Sequence, residues 1–565
     1  MRLPTLAFAV LSVVLLLPGG PAGANEEFQY VIDDFSFYPP PDLPKPDKGV
    51  TFQDPHFHID VTRITDAAGE AERDGRSCFA GYPKHDIENS DGTLLLVEAS
   101  CSSNWGIYDA VTFEKLHCLP PGDYGFYKDS KSPIDPRWDD EDPDKLYFIR
   151  RMTFNYYNVQ DGQSYLLHDF REEFPEEENI YINLAEEGDG SVDRRYWAFG
   201  VTWHQGSVWK CYNVVTYDAQ NDEVLGILPR PEGTCGNWVS ATPLGKAALG
   251  TSPILIYDMR FENPPVEINA SGGIHGDFAV DDEGREVYFH GKDGWWRMED
   301  PATGETTNLA PKSLGPGMSY HISGNAFDRP GWGLVSTYPY GQVTPTHWAD
   351  YSIFLVELTR RQDPPPRVWR IVHTHTADKE EHSYGADPFG KFNTRGTKIF
   401  FTSNWGDPEG LRDIYQVDLP PGWHEELQQP LCTDGQSREC GIDVGACQKG
   451  FQECIGGTWG SCTGAIDPVP EVCGDAIDND CDGVADEGCG QADGGAADGT
   501  AADAGAADGG KTDDGTAQAG DAAPDSPGAA LIQGGCSCGT TQDPVLLWFI
   551  LPVVLAVFRA RVCTA

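Results

Sequence analysis

The chain has 565 residues, of which 88 are Asp or Glu and 40 are Lys or Arg, so its formal net charge is -48 at pH 7. This excess of negative charge repels phosphate backbones and anionic lipid head groups, which excludes nucleic acid and simple electrostatic membrane binding. Divalent cations are the natural partners of such a chain, although acidity alone also keeps an exposed protein soluble.

Residues 1–24 have the pattern of a secretory signal peptide. Arg2 precedes an apolar run over 6–17, and the small residues Ala22 and Ala24 provide a cleavage site before Asn25. The run is too short for a membrane anchor. We therefore predict export, and the 16 cysteines agree, because thiols pair in oxidising compartments.

Residues 25–49 form a lead-in that contains five prolines between Tyr38 and Pro46. Proline has no backbone N–H to donate to a sheet and favours extended conformations. We predict that this segment is a stiff linker.

Residues 50–422 are rich in Tyr, Trp, Phe, Val and Ile, in short runs separated by Asp, Gly, Asn and Pro. This pattern predicts an all-β domain. A polar turn followed by two apolar strands recurs, most clearly at 91–109, 284–300 and 396–419, and seven such units at roughly 35 to 50 residues match the blades of a β-propeller. A strand within 52–64 would pair with the last blade and close the ring. Six or eight blades, or a β-sandwich pair, are the alternatives.

The sequence GTKIFFTSNW at 396–405, followed by DIYQVDL at 413–419, is typical of TolB-type propellers and of oligogalacturonate lyases. The domain resembles both groups in short blade motifs spread over its length. The resemblance implies the propeller fold. For the lyases it also implies manganese held by histidines at the channel mouth, where a sugar proton beside a uronate carboxylate is abstracted.

Four histidines occupy equivalent places just before the innermost strands of blades: His85, His275, His321 and His382. Inner strands surround the central channel, so these side chains are expected to converge, and convergent neutral imidazoles bind ligands or transition metals. By the resemblance to the lyases, His321, His382 and His275 are the catalytic and manganese-binding candidates. In the alternative, each histidine donates a hydrogen bond to a backbone carbonyl of the next blade and locks the ring.

Two further histidine pairs have the spacing that places both imidazoles on one face of a strand. These are His56 with His58 and His373 with His375. The sequence offers no third ligand beside either pair, so we predict that they lie on the surface.

The aromatic and cysteine patterns of the domain allow two more predictions. Five tryptophans are expected either to stack on sugars at the channel mouth or to belong to blade cores: Trp105, Trp203, Trp295, Trp296 and Trp405. Two disulfides are expected between adjacent strands, with Cys78 left unpaired: Cys101 with Cys118 and Cys211 with Cys235.

Residues 430–490 form a cysteine-rich module with few large apolar side chains, so disulfides must supply most of its stability. Its cysteines are Cys432, Cys440, Cys447, Cys454, Cys462, Cys473, Cys481 and Cys489. Eight cysteines permit many connectivities, and the sequence does not choose among them.

An acidic loop in this module has the spacing of a calcium site. Aspartates alternate before Gly483, as in loops that bind calcium through side-chain oxygens, but Cys489 stands where such loops have a bidentate Glu. The predicted ligands are Asp478, Asp480, Asp482, Asp486 and Glu487. The segment EVCGDAIDNDCDGVADEGC at 471–489 also resembles a metal-binding motif repeated in surface proteins of myxobacteria. The alternative is an acidic turn that binds no ion.

The C-terminal region contains a spacer and a hydrophobic tail. Residues 491–533 are almost entirely Ala, Gly and Asp, which predicts a disordered linker. In 534–565, Cys536 precedes an apolar stretch at 544–558 and two arginines, which resembles the MYXO-CTERM sorting signal. That resemblance implies processing and attachment at Cys536. A plain C-terminal membrane anchor would predict the same compartment.

The sequence therefore predicts an exported propeller, held at the cell surface by its tail, that binds a polysaccharide or a surface protein above a calcium-binding stalk. The alternative function is a metal-dependent lyase of uronate polysaccharides that uses the channel histidines and manganese. A third possibility is a propeller that only spaces another part of the chain from the surface.

Overall fold

The computed structural model describes residues 30–70, 77–121, 134–175, 180–205, 208–270, 275–362, 364–379, 387–430, 432–469, 471–481 and 483–486. These residues form the seven antiparallel sheets of a β-propeller and one smaller sheet near the C-terminal end of the described part. The predicted all-β class and the number of blades are confirmed. The described part contains two short helices, α1 (Ala67–Glu70) and α2 (Trp423–Leu427), and neither has the length and apolar character needed to cross a membrane.

Three N-terminal strands precede the first complete blade: β1 (Val31–Ile32), β2 (Thr51–Gln53) and β3 (Asp60–Arg63). The first blade contains β4 (Leu94–Cys101), β5 (Asn104–Asp109) and β6 (Lys115–Cys118), and its inner edge is formed by residues 79–88. The second contains β7 (Ile134–Trp138), β8 (Lys145–Arg150), β9 (Thr153–Asn158) and β10 (Gln163–Asp169). The third contains β11 (Ile180–Asn183), β12 (Tyr196–Gln205), β13 (Val208–Asp218) and β14 (Glu223–Pro229).

The remaining blades follow in chain order. The fourth contains β15 (Val239–Ala241), β16 (Ala247–Leu249), β17 (Ile254–Tyr257) and β18 (Val266–Ile268). The fifth contains β19 (Asp277–Val280), β20 (Glu286–Lys292), β21 (Trp295–Glu299) and β22 (Thr306–Pro311). The sixth contains β23 (Met318–Ser323), β24 (Trp332–Pro339), β25 (Ser352–Glu357) and β26 (Val368–His373), and the seventh contains β27 (Lys391–Phe392), β28 (Lys398–Ser403) and β29 (Asp413–Asp418).

The ring is closed by an N-terminal strand that completes the C-terminal blade. β3 pairs antiparallel with β29, with Val61 opposite Val417, and β2 then pairs with β3 at the outer edge. Val61 is fully buried in the apolar cluster between the sixth and seventh blades. Pairing this edge removes a row of backbone donors and acceptors that would otherwise face solvent. The predicted closing strand within 52–64 is confirmed.

Part of the predicted lead-in packs against the propeller instead of acting as a free linker. β1 pairs with β26 at the outer edge of the sixth blade, and Ile32 is fully buried. The stiff proline run comes after these residues and forms no strand. The linker prediction for 25–49 was therefore wrong for its first described residues, because the β-branched pair Val31 and Ile32 forms a strand on β26 before the prolines begin.

The cysteine-rich module is built on a small sheet, β30 (Ser437–Cys440), β31 (Gly450–Ile455) and β32 (Thr458–Trp459). Three of its disulfides are Cys432–Cys454, Cys440–Cys462 and Cys447–Cys481. Cys473 is also disulfide-bonded, and Cys489 lies outside the described residues.

This module contacts the propeller through the N-terminal edge strand. Arg438 donates from Nη1 to the carbonyl of Tyr30, at 3.3 Å, and the backbone N–H of Gly441 donates to the Tyr38 hydroxyl at 3.0 Å. The module therefore touches the same segment that completes the sixth blade.

Both predicted disulfides of the propeller are confirmed, Cys101–Cys118 and Cys211–Cys235, and Cys78 is buried and belongs to neither. The signal peptide, the 491–533 linker and the tail with Cys536 lie outside the described residues.

Candidate functional site in the propeller channel

Inner strands and the turns before them bring ionisable side chains to the centre of the ring. His85 lies on the inner edge of the first blade, His275 precedes β19, and His321 lies in β23. These three histidines lie on or just before inner strands, which is where the sequence places them. His382 lies outside the described residues.

His275 and His321 form one half of the channel cluster. Their ring centroids are 4.4 Å apart. The Tyr82 hydroxyl lies 3.0 Å from Nδ1 of His275, and Nε2 of His321 lies 3.0 Å from Oδ2 of Asp387. Burial lowers the pKa of His275 to about 3, so this imidazole is neutral at physiological pH.

His85 belongs to the other half of the cluster. Its Nε2 lies 2.5 Å from Nη2 of Arg137, and the same Nη2 donates to the carbonyl of Gly188 at 2.7 Å. Burial, followed by the nearby Arg137 charge, holds the pKa of His85 well below its usual value. Because a guanidinium only donates, His85 accepts this hydrogen bond as a neutral ring.

These contacts differ from the backbone bonds expected for ring-locking histidines. The partners of the three described histidines are side chains of other blades: Tyr82, Asp387 and Arg137. A sequence cannot show such pairs, because Tyr82 and His275 are separated by 193 positions.

A pocket lined mainly by polar residues lies beside this cluster, between the inner edges of several blades. Lys84 binds Glu187 at 2.9 Å and lies over the Trp238 ring, 4.6 Å from its centroid, while Arg194 binds Asp189 at 2.6 Å. None of these residues was predicted from the sequence. Lys84 and Glu187 belong to different blades, Arg194 and Asp189 lie in one loop without a recognisable pattern, and Trp238 stands in no motif.

Asp277 lies in the wall of this pocket with both carboxylate oxygens bound to backbone. The N–H groups of Phe278 and Gly324 donate to them at 2.9 and 2.8 Å. Burial nevertheless raises the pKa of Asp277 to about 7, although Lys84 opposes the shift. Asp277 is thus the pocket group whose charge changes near neutral pH.

Replacing Asp277 with Asn is expected to flatten the dependence of stability on pH. The pKa of about 7 in the folded state exceeds the ordinary value of 3.8, so between these values the folded chain binds more protons than the unfolded chain. The Asp277 contribution is therefore most favourable below the ordinary pKa and declines as pH rises towards 7.

Urea unfolding at pH 5 and pH 8 tests this expectation. The free energy of unfolding should decline more between these pH values in the wild type than in the Asp277→Asn variant. Asp42→Asn, at an exposed position, is the control and should behave as the wild type. Equal pH dependence in the wild type and Asp277→Asn would show that Asp277 ionises normally.

The described channel histidines belong to no group of three potential metal ligands. One ring nitrogen of His321 contacts Asp387, and one ring nitrogen of His275 contacts Tyr82. Within the residues that the structure describes, two groups of three potential ligands lie close enough together for one ion, and neither includes a channel histidine. The arrangement can instead hold the blades together and position protons between buried polar groups.

The predicted surface histidine pairs are largely buried. His373 is fully buried, His375 is nearly so, and only His58 of the four is exposed. His56 and His373 come together, with ring centroids 5.4 Å apart and Asp54 beside them. The surface prediction was wrong because the third group contacts His373 across 319 positions of sequence.

The acidic loop of the cysteine-rich module brings Asp478 and Asp480 close to Glu471, which the sequence analysis did not identify. The Glu471 carboxylate accepts the backbone N–H groups of Asn479, Asp480 and Asp486, so it holds the loop in shape. Asp482 and Glu487, which were predicted as calcium ligands, lie outside the described residues. Asp486 binds the backbone of Gly474 and Ala476 instead of joining the three carboxylates.

The five tryptophans considered as sugar-binding groups do not line the pocket. Trp296 is fully buried in a blade core, and Trp405 stacks on His375 and Tyr415. Trp295 is the most exposed of the five, at 38%, and lies in β21. The pocket uses Trp238 instead.

No family model matches the chain, and no curated protein matches it. Among solved structures, the chain is similar to an oligogalacturonate lyase from Vibrio parahaemolyticus, with 13% identity and a TM-score of 0.46 over 70% of this chain and 100% of that chain. An oligogalacturonate lyase in complex with manganese gives 14% identity and a TM-score of 0.45, over 70% and 99% of the two chains.

A WD40 domain from Neurospora crassa is also similar, with 10% identity and a TM-score of 0.38 over 67% of this chain and 98% of that chain. Similarity at this level gives no basis for choosing a substrate.

Proposed function

We propose that the protein is a binding propeller whose ligand site is the pocket beside the channel, and that the ligand is uncharged and rich in hydroxyl groups, such as a neutral glycan. One observation carries this proposal: the pocket combines aromatic surface with more carboxylates than cations, and each cation is already paired with a carboxylate.

The charges of the pocket favour a hydroxyl-rich ligand over an acidic one. Four acidic residues line it, against two basic residues, Lys84 and Arg194. Carboxylates accept hydrogen bonds from sugar hydroxyls. A uronate carboxylate would instead meet carboxylates that outnumber the cations, and ionisation of Asp277 near neutral pH adds to the repulsion.

The aromatic residues supply the apolar part of the site. Phe327 is partly exposed in the pocket wall, which Trp238 and Phe278 also line although their side chains are almost fully buried. The apolar face of a sugar ring can pack on such a surface while its hydroxyls reach the carboxylates. The site therefore matches both chemical halves of a neutral glycan.

Calorimetric titration of the full chain with neutral and with uronate oligosaccharides tests this proposal. We expect the neutral oligosaccharides to bind more tightly. Phe327→Ala should weaken binding by up to about tenfold, as for loss of one aromatic contact, and Glu187→Gln should weaken it similarly by removing an acceptor. Phe451→Ala, at an exposed aromatic residue of the cysteine-rich module, is the matched control and should leave binding unchanged.

Two outcomes would contradict the pocket assignment. One is neutral-glycan binding that is equally tight in the wild type, Phe327→Ala and Glu187→Gln. The other is preference for uronate oligosaccharides over neutral ones.

A lyase acting on uronate polysaccharides is the second candidate function, with His275, His321 and His382 as its catalytic residues. It is favoured by the partly buried contact between the neutral ring of His275 and the Tyr82 hydroxyl, since paired groups of this kind transfer protons in many enzymes. The negative charge of the adjacent pocket favours binding of an uncharged ligand instead.

The proposal places the protein outside the cell, held at the surface by its C-terminal tail. The disulfides of the propeller and of the cysteine-rich module support an oxidising compartment, because disulfides persist there. Mass spectrometry of the exported protein tests this part, with a mature N-terminus at Asn25 and lipid or processing at Cys536 as the expected results.

We include calcium binding by the cysteine-rich module in the proposal. Alternating aspartates before Gly483 and the closeness of Glu471, Asp478 and Asp480 support it. Calorimetric titration with CaCl2 should show binding that Asp478→Asn weakens by roughly tenfold, because affinity follows the number of charged ligands. Asp443→Asn, exposed in the same module, is the control. Binding that is the same in both variants would remove calcium from this loop.

A further inference from the structure

A second cluster of metal-binding side chains lies at the rim of the propeller, away from the channel. Asp54 follows β2, the outermost strand of the seventh blade, and His56 is in the turn that leads to β3. His373 ends β26 on the outer side of the sixth blade. One ligand atom of each lies within 4.8 Å of those of the other two.

The hydrogen bonds of His373 define where its protons lie. Its Nε2 is 3.1 Å from the carbonyl oxygen of Tyr38, which can only accept, so Nε2 carries a proton. Its Nδ1 is 3.1 Å from Oδ2 of Asp54, an acceptor as well when ionised. In a neutral His373, the lone pair of Nδ1 would thus face the Asp54 carboxylate. This contact becomes favourable if Nδ1 also carries a proton, or if Nδ1 and Oδ2 of Asp54 share a cation.

The distance between these two atoms suits a shared metal ion. Ligand atoms on a tetrahedral zinc ion, each roughly 2.0 to 2.1 Å from the metal, lie about 3.3 Å from one another. The observed 3.1 Å between Nδ1 of His373 and Oδ2 of Asp54 is close to that separation. The proton on Nε2 bound to a backbone carbonyl is the arrangement that orients a metal-binding histidine.

His56 provides the third metal-binding side chain. Its Nδ1 is shielded from solvent and has no hydrogen-bond partner among the residues that the structure describes. A buried nitrogen without a partner is costly unless something binds it.

The surroundings hold the three groups in place. Oδ1 of Asp54 accepts the backbone N–H groups of His56 and Phe57 at 2.9 and 3.0 Å, which fixes the turn. The Tyr38 ring stacks on His56, and the Phe57 ring stacks on His373. The Arg370 guanidinium also lies over the Tyr38 and Phe57 rings, so its positive charge is close to the site.

The charge of Arg370 is balanced locally. Asp34 and Asp54 are the carboxylates whose charge acts on its guanidinium, and Arg370 donates to the carbonyls of Ser36 and Trp348 at 2.6 and 2.5 Å. With Asp54 used by a metal ion, Asp34 still faces Arg370. The site therefore tolerates a divalent cation despite the neighbouring arginine.

We infer that Asp54, His56 and His373 bind one divalent transition-metal ion of the zinc type. Two imidazoles and one carboxylate select such ions over calcium or magnesium, which prefer oxygen ligands. Water completes the fourth position. The ion connects the sixth blade, through His373, with the segment that leads into β3, the strand that closes the ring. It therefore stabilises the closure of the propeller. The site lies outside the ligand pocket and does not depend on the proposed function.

Zinc titration of the full chain, after removal of metal and in the presence of a competing chelator, tests this site. We expect one tightly bound equivalent. Because loss of a group that only orients a ligand weakens metal binding by about 10- to 100-fold, His373→Gln and Asp54→Asn should weaken it by at least about 100-fold. His58→Asn is the matched control: His58 is exposed in the same turn, and Asn adopts its φ of 55° readily.

Two measurements keep the test independent of how the variants fold. Cobalt added to the metal-free wild type should give the visible absorption of a four-coordinate site, and crystals grown with zinc should show an anomalous peak between Asp54, His56 and His373. Absence of a tight equivalent in the wild type, or a peak elsewhere, would overturn the inference and leave a protonated His373 paired with Asp54. Either result leaves the glycan titration unaffected.

Discussion

The Val61→Asp variant is expected to lose more than about 4 kcal/mol of the free energy of unfolding, because it places an unpaired charge in a closed apolar seam. Val61 is fully buried in β3, opposite Val417 of the last blade. Ionised Asp at this position finds no cation in the apolar cluster that surrounds it. The charge would be relieved either by protonation of the buried carboxyl group, which is itself costly, or by separating β3 from β29, which opens the ring.

Urea unfolding monitored by tryptophan fluorescence measures this loss. Asp60→Asn is the matched control, because Asp60 is the exposed neighbour of Val61 in the same strand and should tolerate the change. Limited proteolysis should also cut the Val61→Asp variant within the segment before β3. A loss below about 1 kcal/mol, typical of surface positions, would show that β3 does not close the propeller.

The Glu88→Gln variant is expected to lose about 3 to 5 kcal/mol, the usual result of breaking a buried ion pair from one side. Glu88 is almost fully buried at the inner edge of the first blade. Its carboxylate binds Arg395, Lys398 at 2.7 Å and the Asn393 amide at 2.7 Å, all from the seventh blade. Gln leaves two cations without their counter-charge, although both cations retain some contact with solvent.

Glu409→Gln provides the comparison for this variant. Glu409 forms an exposed pair with Lys379 at 2.6 Å, and exposed pairs contribute little to stability. Thermal and urea unfolding should separate the two variants clearly. Equal behaviour of Glu88→Gln and Glu409→Gln would mean that the contact between the first and seventh blades does not depend on this carboxylate.

The ring itself could be predicted because its signal is local and repeated. Each blade begins at a polar turn and continues in short runs of β-branched and aromatic residues, so the period of the fold is visible in the sequence. The closing strand was predictable for the same reason, since an apolar strand before the first blade has no blade of its own. The disulfides Cys101–Cys118 and Cys211–Cys235 could be predicted because their cysteines are only 17 and 24 positions apart, although Cys235 lies outside a strand.

The ligand pocket could not be predicted, because its contacts join residues that are far apart in sequence. Lys84 and Glu187 are 103 positions apart, and neither stands in a pattern that distinguishes it from other surface charges. Trp238 was not predicted because it precedes β15 and does not lie in a recognisable blade strand. Pairing of this kind depends on how neighbouring blades face one another, which single-blade periodicity does not encode.

The binding partners of the histidines could not be predicted from the sequence either. Their convergence in the channel followed from the blade pattern, but their partners did not: His275 binds Tyr82 and His321 binds Asp387. At the rim, the pairing of His373 with Asp54 depends on closure of the ring by the N-terminal segment. A sequence shows that histidines precede the inner strands of several blades, whereas only the assembled ring shows what they bind.

Binding rather than catalysis is the central claim for this propeller, and an assay for lyase activity tests it most directly. The full chain, supplied with manganese, is incubated with uronate oligosaccharides, and the ultraviolet absorbance of unsaturated products is followed over time. We predict no product above the level of a protein-free control, for the wild type and for His321→Ala alike. Steady formation of unsaturated uronate by the wild type, abolished in a folded His321→Ala variant, would contradict the binding function.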